Sequence, residues 1–585
     1  MIKTVIKKGS YQDSVVLMLL TNKINAMEGI NKVSIMMATP ANKDIFRASG
    51  LDGEELNAAG ANDMAIVVDV EREDLVQAVL DETEDFLKNQ ASKNEGKSGR
   101  KAAKNWEQAL KELPDANLAV FSIPGIYAAA EADRALDEGL HVFMFSDNVK
   151  LEDEVSLKKK AHEKGLLVMG PDCGTGIIQG VPIAFTNKVT KGNIGIVGAS
   201  GTGIQELITI IDRLGEGVTN AIGTGGRDLA SEVGGITMLD SINAMEQDPE
   251  VKIVIVISKP PAKEVRDKIL KRLSNYKKPV VTLFLGEKPE VHTDGFYHAY
   301  TLDEAARIAV QLARGEKVTA NAFTPNIADP YSKEEKKTIK AYYSGGTLAS
   351  EAAMMFKDTM GLDVKSGKKE GFMLNHEGHI VVDLGDDVYT QGKPHPMIDP
   401  AKRIECMEEA ADDETTGVIL FDIVLGYGSH EDMAKALLPA IQSLKEKAEK
   451  DSRKLFFVTT VCGTRLDPQG YDYQKKLMED AGVIVCESNK QAVETALFCA
   501  GYTYQEAEKE IVEAEAKEIV EVEVSQKVKA LFGNKPKIIN IGLQSFAEVL
   551  REFDCEVEQF DWAPAAGGDM ELIQALSFLR NYTFA

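Results

Sequence analysis

The 585 residues include only six cysteines, Cys173, Cys406, Cys462, Cys486, Cys499 and Cys555, with no Cys-x-x-Cys pair and no zinc-finger spacing to a histidine. That scatter argues against a zinc site and against a disulfide framework, and it leaves the thiols as reduced core residues. Long apolar runs are missing too, since nothing approaches the roughly 18 residues that a membrane span requires. The basic start "MIKTVIKKGSYQ" lacks the apolar segment and small-residue cleavage site of a secretory signal, so a cytoplasmic location is expected. Positive charge is scarce. A formal net charge of −25 excludes the basic field on which nucleic acid or an anionic membrane would dock. A small anionic substrate then needs a local attraction, which the free N–H groups and dipole of a helix N-terminus supply.

What is present is a repeated strand–helix rhythm, and the chain is long enough for several domains, each with its own core. Residues 1–100 read as a small ferredoxin-like α/β domain, with "KTVIKK", "VSIMMAT" and "AIVVDVE" as strands and a polar linker from 89 to 105. From 101 to 188 short β-rich runs alternate with helices, as "NLAVFSI", "HVFMFS" and "LLVMG". The rhythm restarts over 189–330 with "NIGIVGAS", "TNAIGTGG", "VKIVIVIS" and "KPVVTLFLG", and again over 331–510 with "IKAYYSGG", "HIVVDLG", "GVILFDIVLGYG" and "KLFFVTTV". Such alternation predicts α/β domains built on parallel sheets covered on both faces. Residues 511–585 read as a charged helical linker followed by a short β–α–β tail, too small to close a sheet alone and so expected to dock on the body or to complete a partner's fold.

Two strand–turn–helix signals resemble each other, "VGASGTGIQE" at 197–206 and "YYSGGTLASE" at 342–351. In each, a Ser-Gly-Thr or Ser-Gly-Gly-Thr turn opens a helix, and a glutamate, Glu206 or Glu351, follows the threonine by four residues. Ser200, Gly201, Thr202 and Gly203 in the first, and Ser344, Gly345, Gly346 and Thr347 in the second, are the candidate phosphate-binding residues. Glycines let a backbone approach an oxyanion, and the hydroxyls donate to it or cap the helix. Either turn alone also reads as an ordinary helix cap; converging, the two would neutralise one phosphate from two sides. Neither is a Walker A loop or a GxGxxG fingerprint.

On these residues the chain resembles succinyl-CoA synthetase. "NLAVFSIPGIYAAAEADRALDEGLHVFMFSDN", "GLLVMGPDCGTGIIQG" and "GNIGIVGASGTGIQE" look like its α subunit, and "SGGTLASEAAMMF" like a helix start of its β subunit. With "IKKGSYQDSVVLM", "VSIMMATPANK", "IGTGGRDL" and "DLGDDVYTQGKPHPMIDP", the chain is identified as similar to the FdrA family of acyl-CoA synthetase-like proteins over roughly residues 1–500. The resemblance assigns 101–188 to a partial CoA-binding-like domain, 189–330 to an α-ligase-like domain and 331–510 to a β-ligase-like domain. It also implies a subunit that works with two partner proteins in oxamate carbamoyl transfer during allantoin breakdown, as part of an oligomer, with carbamoyl phosphate or phosphate as ligand. The tail "INIGLQSFAEVL" with "DWAPAAGGD" resembles the start of the large partner. The synthetases' phosphohistidine loop is absent, since "KPVVTLFLG" runs on into "EKPEVHTDGFYHAY", where His292 and His298 lack the glycine setting. The first-half glycine-rich turn for CoA is absent as well, which makes CoA less expected than phosphate. An acyl-CoA synthetase or acyl-CoA:phosphate transferase, and a non-catalytic scaffold, are the alternatives.

Three further residues are candidates for catalysis. Asp172, on the turn "MGPDCGT", is either a site wall that orients an amide or a helix cap. Arg227, in "TGGRD", is a fork for carboxylate or phosphate, or else a structural ion pair with Asp228 or another acid. His395, held between two prolines in "GKPHPMIDP", is an acid/base candidate or a loop fastener. Asp383, Asp386 and Asp387 cluster in "DLGDD", where they could collect Mg²⁺ accompanying a phosphate or simply form a solvated loop. No protein metal site is assigned.

Overall fold

The computed structural model describes all residues except 11, 13, 26, 49, 61–62, 96–101, 321, 363–369, 391–392, 506–508, 514–521 and those beyond 564 other than 572 and 575. Four sheets organise it. The N-terminal unit is a three-stranded antiparallel sheet in the order Ile2–Lys7, Met64–Val70, Ile30–Met37, with the helices Ser14–Asn25 and Asp74–Glu95 packed on it. The second helix runs well into the stretch that the sequence marks as linker, because Leu75, Val79, Leu80, Phe86 and Leu87 keep helical spacing against the core.

Two large sheets carry the glycine turns. One has nine strands, at whose centre Ile194–Ala199 lies parallel between Ile253–Ser258 and Val218–Gly223. The other has six, at whose centre Thr338–Tyr343 lies parallel between His379–Asp383 and Thr416–Val424. Both central strands are buried on both faces apart from the partly buried Thr338, as parallel strands under helices must be; the first is apolar throughout, and the second carries Lys340, which pairs with Asp413 at 3.1 Å. Each runs straight into a glycine turn and then a helix, Gly201–Arg213 or Gly346–Met360. One apolar core runs through the interface between these sheets, joining Ile204, Leu207 and Ile208 to Leu348, Ala349 and Ala352.

The tail completes a sheet of its own chain. The five-stranded sheet runs Val557–Phe560, Ile538–Ile541, Leu118–Phe121, His141–Met144, Val168–Met169, all parallel. Ile538, Ile539 and Ile541 are fully buried there, and Phe546 and Leu550 nearly so. Burying five such side chains contributes on the order of 10 kcal/mol before the entropy of ordering the tail is subtracted. The segment from 101 to 188, read from sequence as a partial domain, thus gains its missing β–α–β half from residues some 420 positions away. In the charged linker Glu510–Val512 is a strand paired in parallel with Val291–Thr293, where a helix is expected from sequence, and Gln526–Gly533 is a helix; residues 514–521 lie outside the described residues. The end of "DWAPAAGGD" beyond residue 564 lies outside the described residues. All six cysteines are free and buried. No described helix is long and apolar enough to cross a membrane.

Candidate functional site

The two glycine turns meet. Ser200 Oγ and Thr347 Oγ1 are 2.6 Å apart, one hydroxyl donating to the other. Ser200 is also the N-cap of its helix, its Oγ accepting from Gly203 N–H at 3.2 Å. The approach needs glycine for room. A β-carbon at Gly203 would lie 2.7 Å from Ile257 Cδ1 and 3.0 Å from Thr347 Cγ2, and one at Gly345 would lie 2.6 Å from Thr202 Cγ2. Gly201 is different, since a β-carbon there meets only Thr175 Oγ1, at 3.6 Å. Gly201, Thr202 and Gly346 remain partly open to solvent at the junction. The starts of two helices therefore lie against each other at the Ser200–Thr347 contact, where Ser200 Oγ already caps Gly203 N–H.

The two starts are not electrostatically equal. Ser344, fully buried, donates from both its backbone N–H and its Oγ to the Asp422 carboxylate at 2.9 Å, and the Arg403 guanidinium lies 3.3 Å behind that carboxylate. Burial raises the Asp422 carboxyl, and Arg403 opposes the rise. Asp383 faces Gly346 so closely that a β-carbon there would be 2.6 Å from its Oδ2. The protein's own carboxylates thus attend the Gly346 helix start. Of the four candidate hydroxyls, Ser344 is committed inward, Ser200 and Thr347 hold each other, and Thr202 lies at the opening.

Of the three catalytic candidates, His395 stands beside the second glycine turn: a β-carbon at Gly385 would lie 2.7 Å from His395 Nε2, 2.9 Å from Ser344 O and 3.2 Å from Asp383 Oδ1. Asp172 has left-handed backbone, φ 55°, and is exposed as a residue. Protein packed around its carboxyl raises it; Asp147 and Asp387 add to the rise, and Lys259 and Arg227 oppose it. Arg227 pairs with Glu154 at 2.9 Å and donates to Val149 O at 2.8 Å; Asp228, the partner considered from sequence, is taken instead by the buried Lys158 at 2.7 Å. His395 accepts at Nδ1 from Met397 N–H at 3.2 Å, so its proton sits on Nε2, which faces Gly385. Burial, helped by Arg403, lowers its pKa to about 4. At neutral pH it is an uncharged hydrogen-bond donor. His292 and His298 are held locally: His292 Nδ1 accepts from His298 N–H at 3.1 Å, and His298 Nδ1 meets Thr282 Oγ1 at 2.8 Å. Asp386 accepts from Val388 N–H at 3.1 Å, Asp387 is exposed, and no group of three or more His, Cys, Asp or Glu among the described residues is placed to hold a metal.

Sequence reasoning missed Asp422, Arg403 and Asn489. Asp422 carried a signal, a lone charge inside the apolar run "GVILFDIVLG"; Asn489 opens a helix whose turn has no glycine to mark it.

Three family descriptions match: the CoA binding domain at residues 189–286, the CoA-ligase domain at 342–498, and the heavy metal-associated domain of AllF at 1–104. The CoA-binding match falls on the segment that the resemblance gave to the α-ligase-like domain. Residues 1–104 contain no cysteine and no histidine. The α subunit 1 of ADP-forming succinate–CoA ligase from Archaeoglobus fulgidus is 28% identical over 186 residues, 31% of this chain and 61% of that subunit. The crystal structure of PH0766 from Pyrococcus horikoshii OT3 is 14% identical with a TM-score of 0.29, covering 67% of this chain and 86% of that one. YahF of Escherichia coli K12 is 42% identical over 503 residues, 83% of this chain and 96% of YahF. The chain therefore belongs to the FdrA-like family of YahF, α/β proteins with succinate–CoA ligase-like CoA-binding and CoA-ligase domains.

Proposed function

We propose that the junction of the two helix starts binds carbamoyl phosphate or its product phosphate, and that the chain serves, with two partner subunits, in carbamoyl transfer: oxamate and carbamoyl phosphate interconverting with oxalurate and phosphate. The observation that carries this reading is the 2.6 Å contact between Ser200 and Thr347, which sets two helix N-termini on one small site. A dianion there gains chiefly from the dipole of the Gly201 helix, since Asp422 and Asp383 already attend the Gly346 helix, and from N–H donors that also stabilise phosphate as it leaves. No covalent carrier is needed, and proximity and electrostatics supply the rate. Mg²⁺ would enter with the phosphate rather than as a resident ion. Isothermal titration of the chain, with and without partners, against phosphate, carbamoyl phosphate, CoA and ATP tests the reading. Phosphate or carbamoyl phosphate binding that Gly203→Ala abolishes supports it; binding of CoA or ATP alone overturns it.

A second reading, an acyl-CoA ligase or transferase, is favoured by the completed five-stranded sheet. The strands Ile538–Ile541 and Leu118–Phe121 lie side by side and their connections run to opposite edges, which makes a switch-point crevice at their carboxyl ends. There Leu543 N–H donates to Ser122 Oγ at 2.7 Å. The tail thus gives 101–188 a complete parallel sheet, which supports this reading, although no glycine-rich turn follows its strand Ile538–Ile541.

A further inference from the structure

Glu206 and Glu351 follow the glycine turns at equal spacing, yet both are fully buried one turn behind the helix starts and cannot touch an anion held there. Their partners lie across the interface. Glu206, on the helix Gly201–Arg213, accepts at Oε1 from Asn489 N–H at 2.8 Å, the first amide of the helix Asn489–Cys499. Glu351, on the helix Gly346–Met360, accepts at Oε1 from Leu302 N–H at 2.6 Å, the first amide of the helix Leu302–Ala313. Each half thus lends a carboxyl to a helix N-terminus of the other. Asn489 closes the circuit, its Nδ2 donating to Glu351 Oε2 at 2.7 Å and to Leu348 O at 3.1 Å.

We propose that Glu206, Glu351 and Asn489 form a reciprocal clasp between the two ligase-like halves, and that this clasp holds the two helix starts in contact. A carboxyl at a helix N-terminus is stabilising, and here that gain exists only while the halves are docked. Because the bonds cross in opposite directions on the same two helices that carry Ser200 and Thr347, a rotation that breaks either bond also parts the hydroxyls. The three side chains are positioning residues. The binding readout below rests on the proposed anion site, whereas the exchange readout does not.

Amide hydrogen exchange and phosphate titration on the full chain test the clasp. Glu351→Ala and Asn489→Ser are expected to speed exchange at 201–204 and 346–349 at least tenfold and to weaken phosphate binding about tenfold, with the strand Met64–Val70 unchanged. Glu351→Gln, which keeps a carbonyl for Leu302 N–H but turns an amide NH2 toward Asn489 Nδ2, should fall between Glu351→Ala and the wild type in both. Wild-type exchange at the helix starts in folded Asn489→Ser overturns the clasp, as does exchange in Glu351→Gln as fast as in Glu351→Ala. Should Glu351→Ala not fold, Asn489→Ser, which retains the backbone amide, decides the matter. Absence of phosphate binding in the wild type would sink the anion reading and leave the exchange result to judge the clasp.

Discussion

Glycine is used at the helix junction for space and not for unusual dihedral angles, and this separates residues that look alike in sequence. Gly203→Ala drives a β-carbon into Ile257 and toward Thr347, whereas Gly201→Ala meets only ordinary contact with Thr175. Overpacking of the first kind costs about 1–3 kcal/mol. Gly203→Ala should therefore lower the melting temperature and remove anion binding, while Gly201→Ala should do neither; equal effects in calorimetry and titration would refute the steric account. Asp422 and Arg403 give a second residue-scale expectation. Both are fully buried, and removing one partner leaves the other charged and unpaired, at a cost of about 3–5 kcal/mol. Arg403→Met alone should destabilise by that amount in denaturant titration, and a milder loss in the double variant Arg403→Met with Asp422→Leu would identify the unpaired charge as the cause. That Ser200 and Thr347 stand at helix starts was legible in the sequence, because serine, glycine and threonine between an apolar strand and a helical pattern mark a capped turn. Their meeting was not, since it depends on how two sheets pack.

At the scale of elements, strands and helices were readable wherever apolar runs of four to nine residues alternate with amphipathic stretches. The tail was not readable in the same way: its strand Ile538–Ile541 looks like any short parallel strand, and its partner Leu118–Phe121 is named only by folding. The docking carries a built-in reporter. The chain has two tryptophans, and both donate from Nε1 to Glu131, Trp106 at 2.7 Å to Oε2 and Trp562, on the tail, at 3.0 Å to Oε1. Phe560 packs edge-on against Trp106 with ring centroids 5.7 Å apart. Glu131→Ala leaves two largely buried indole N–H groups without their acceptor, each at a cost of about 1–3 kcal/mol. Its tryptophan emission should shift to the red and a protease should cut the tail sooner than in the wild type. Unchanged emission and cleavage would show that the tail is held without this carboxylate.

Across the whole molecule, the seam between the two ligase-like halves is an apolar core with carboxyls buried in it, and that combination makes the docking depend on pH. Glu351 is pushed up to about 7, first by burial; the amide of Leu302 and the side chain of Asn489 oppose the rise, and Glu206 and Asp303 add to it. Glu206 is raised by burial as well, with Arg213 opposing. Asp467, which receives Asn187 Nδ2 at 2.9 Å and Lys188 N–H at 2.8 Å across the same seam, is pushed up to about 6. A carboxyl raised on folding adds stability that is complete below its unfolded pKa, about 4.5 for glutamate, and that is lost as pH rises through the folded value. For Glu351 the loss falls between about pH 4.5 and 7 and amounts to about 3 kcal/mol. Glu351→Gln cannot ionise, so it should lose less stability than the wild type when pH is raised from 5 to 8, with the difference between the two levelling off above pH 7. Parallel pH profiles in calorimetry would mean that Glu351 keeps its ordinary pKa and that its burial is balanced by the two donors it receives.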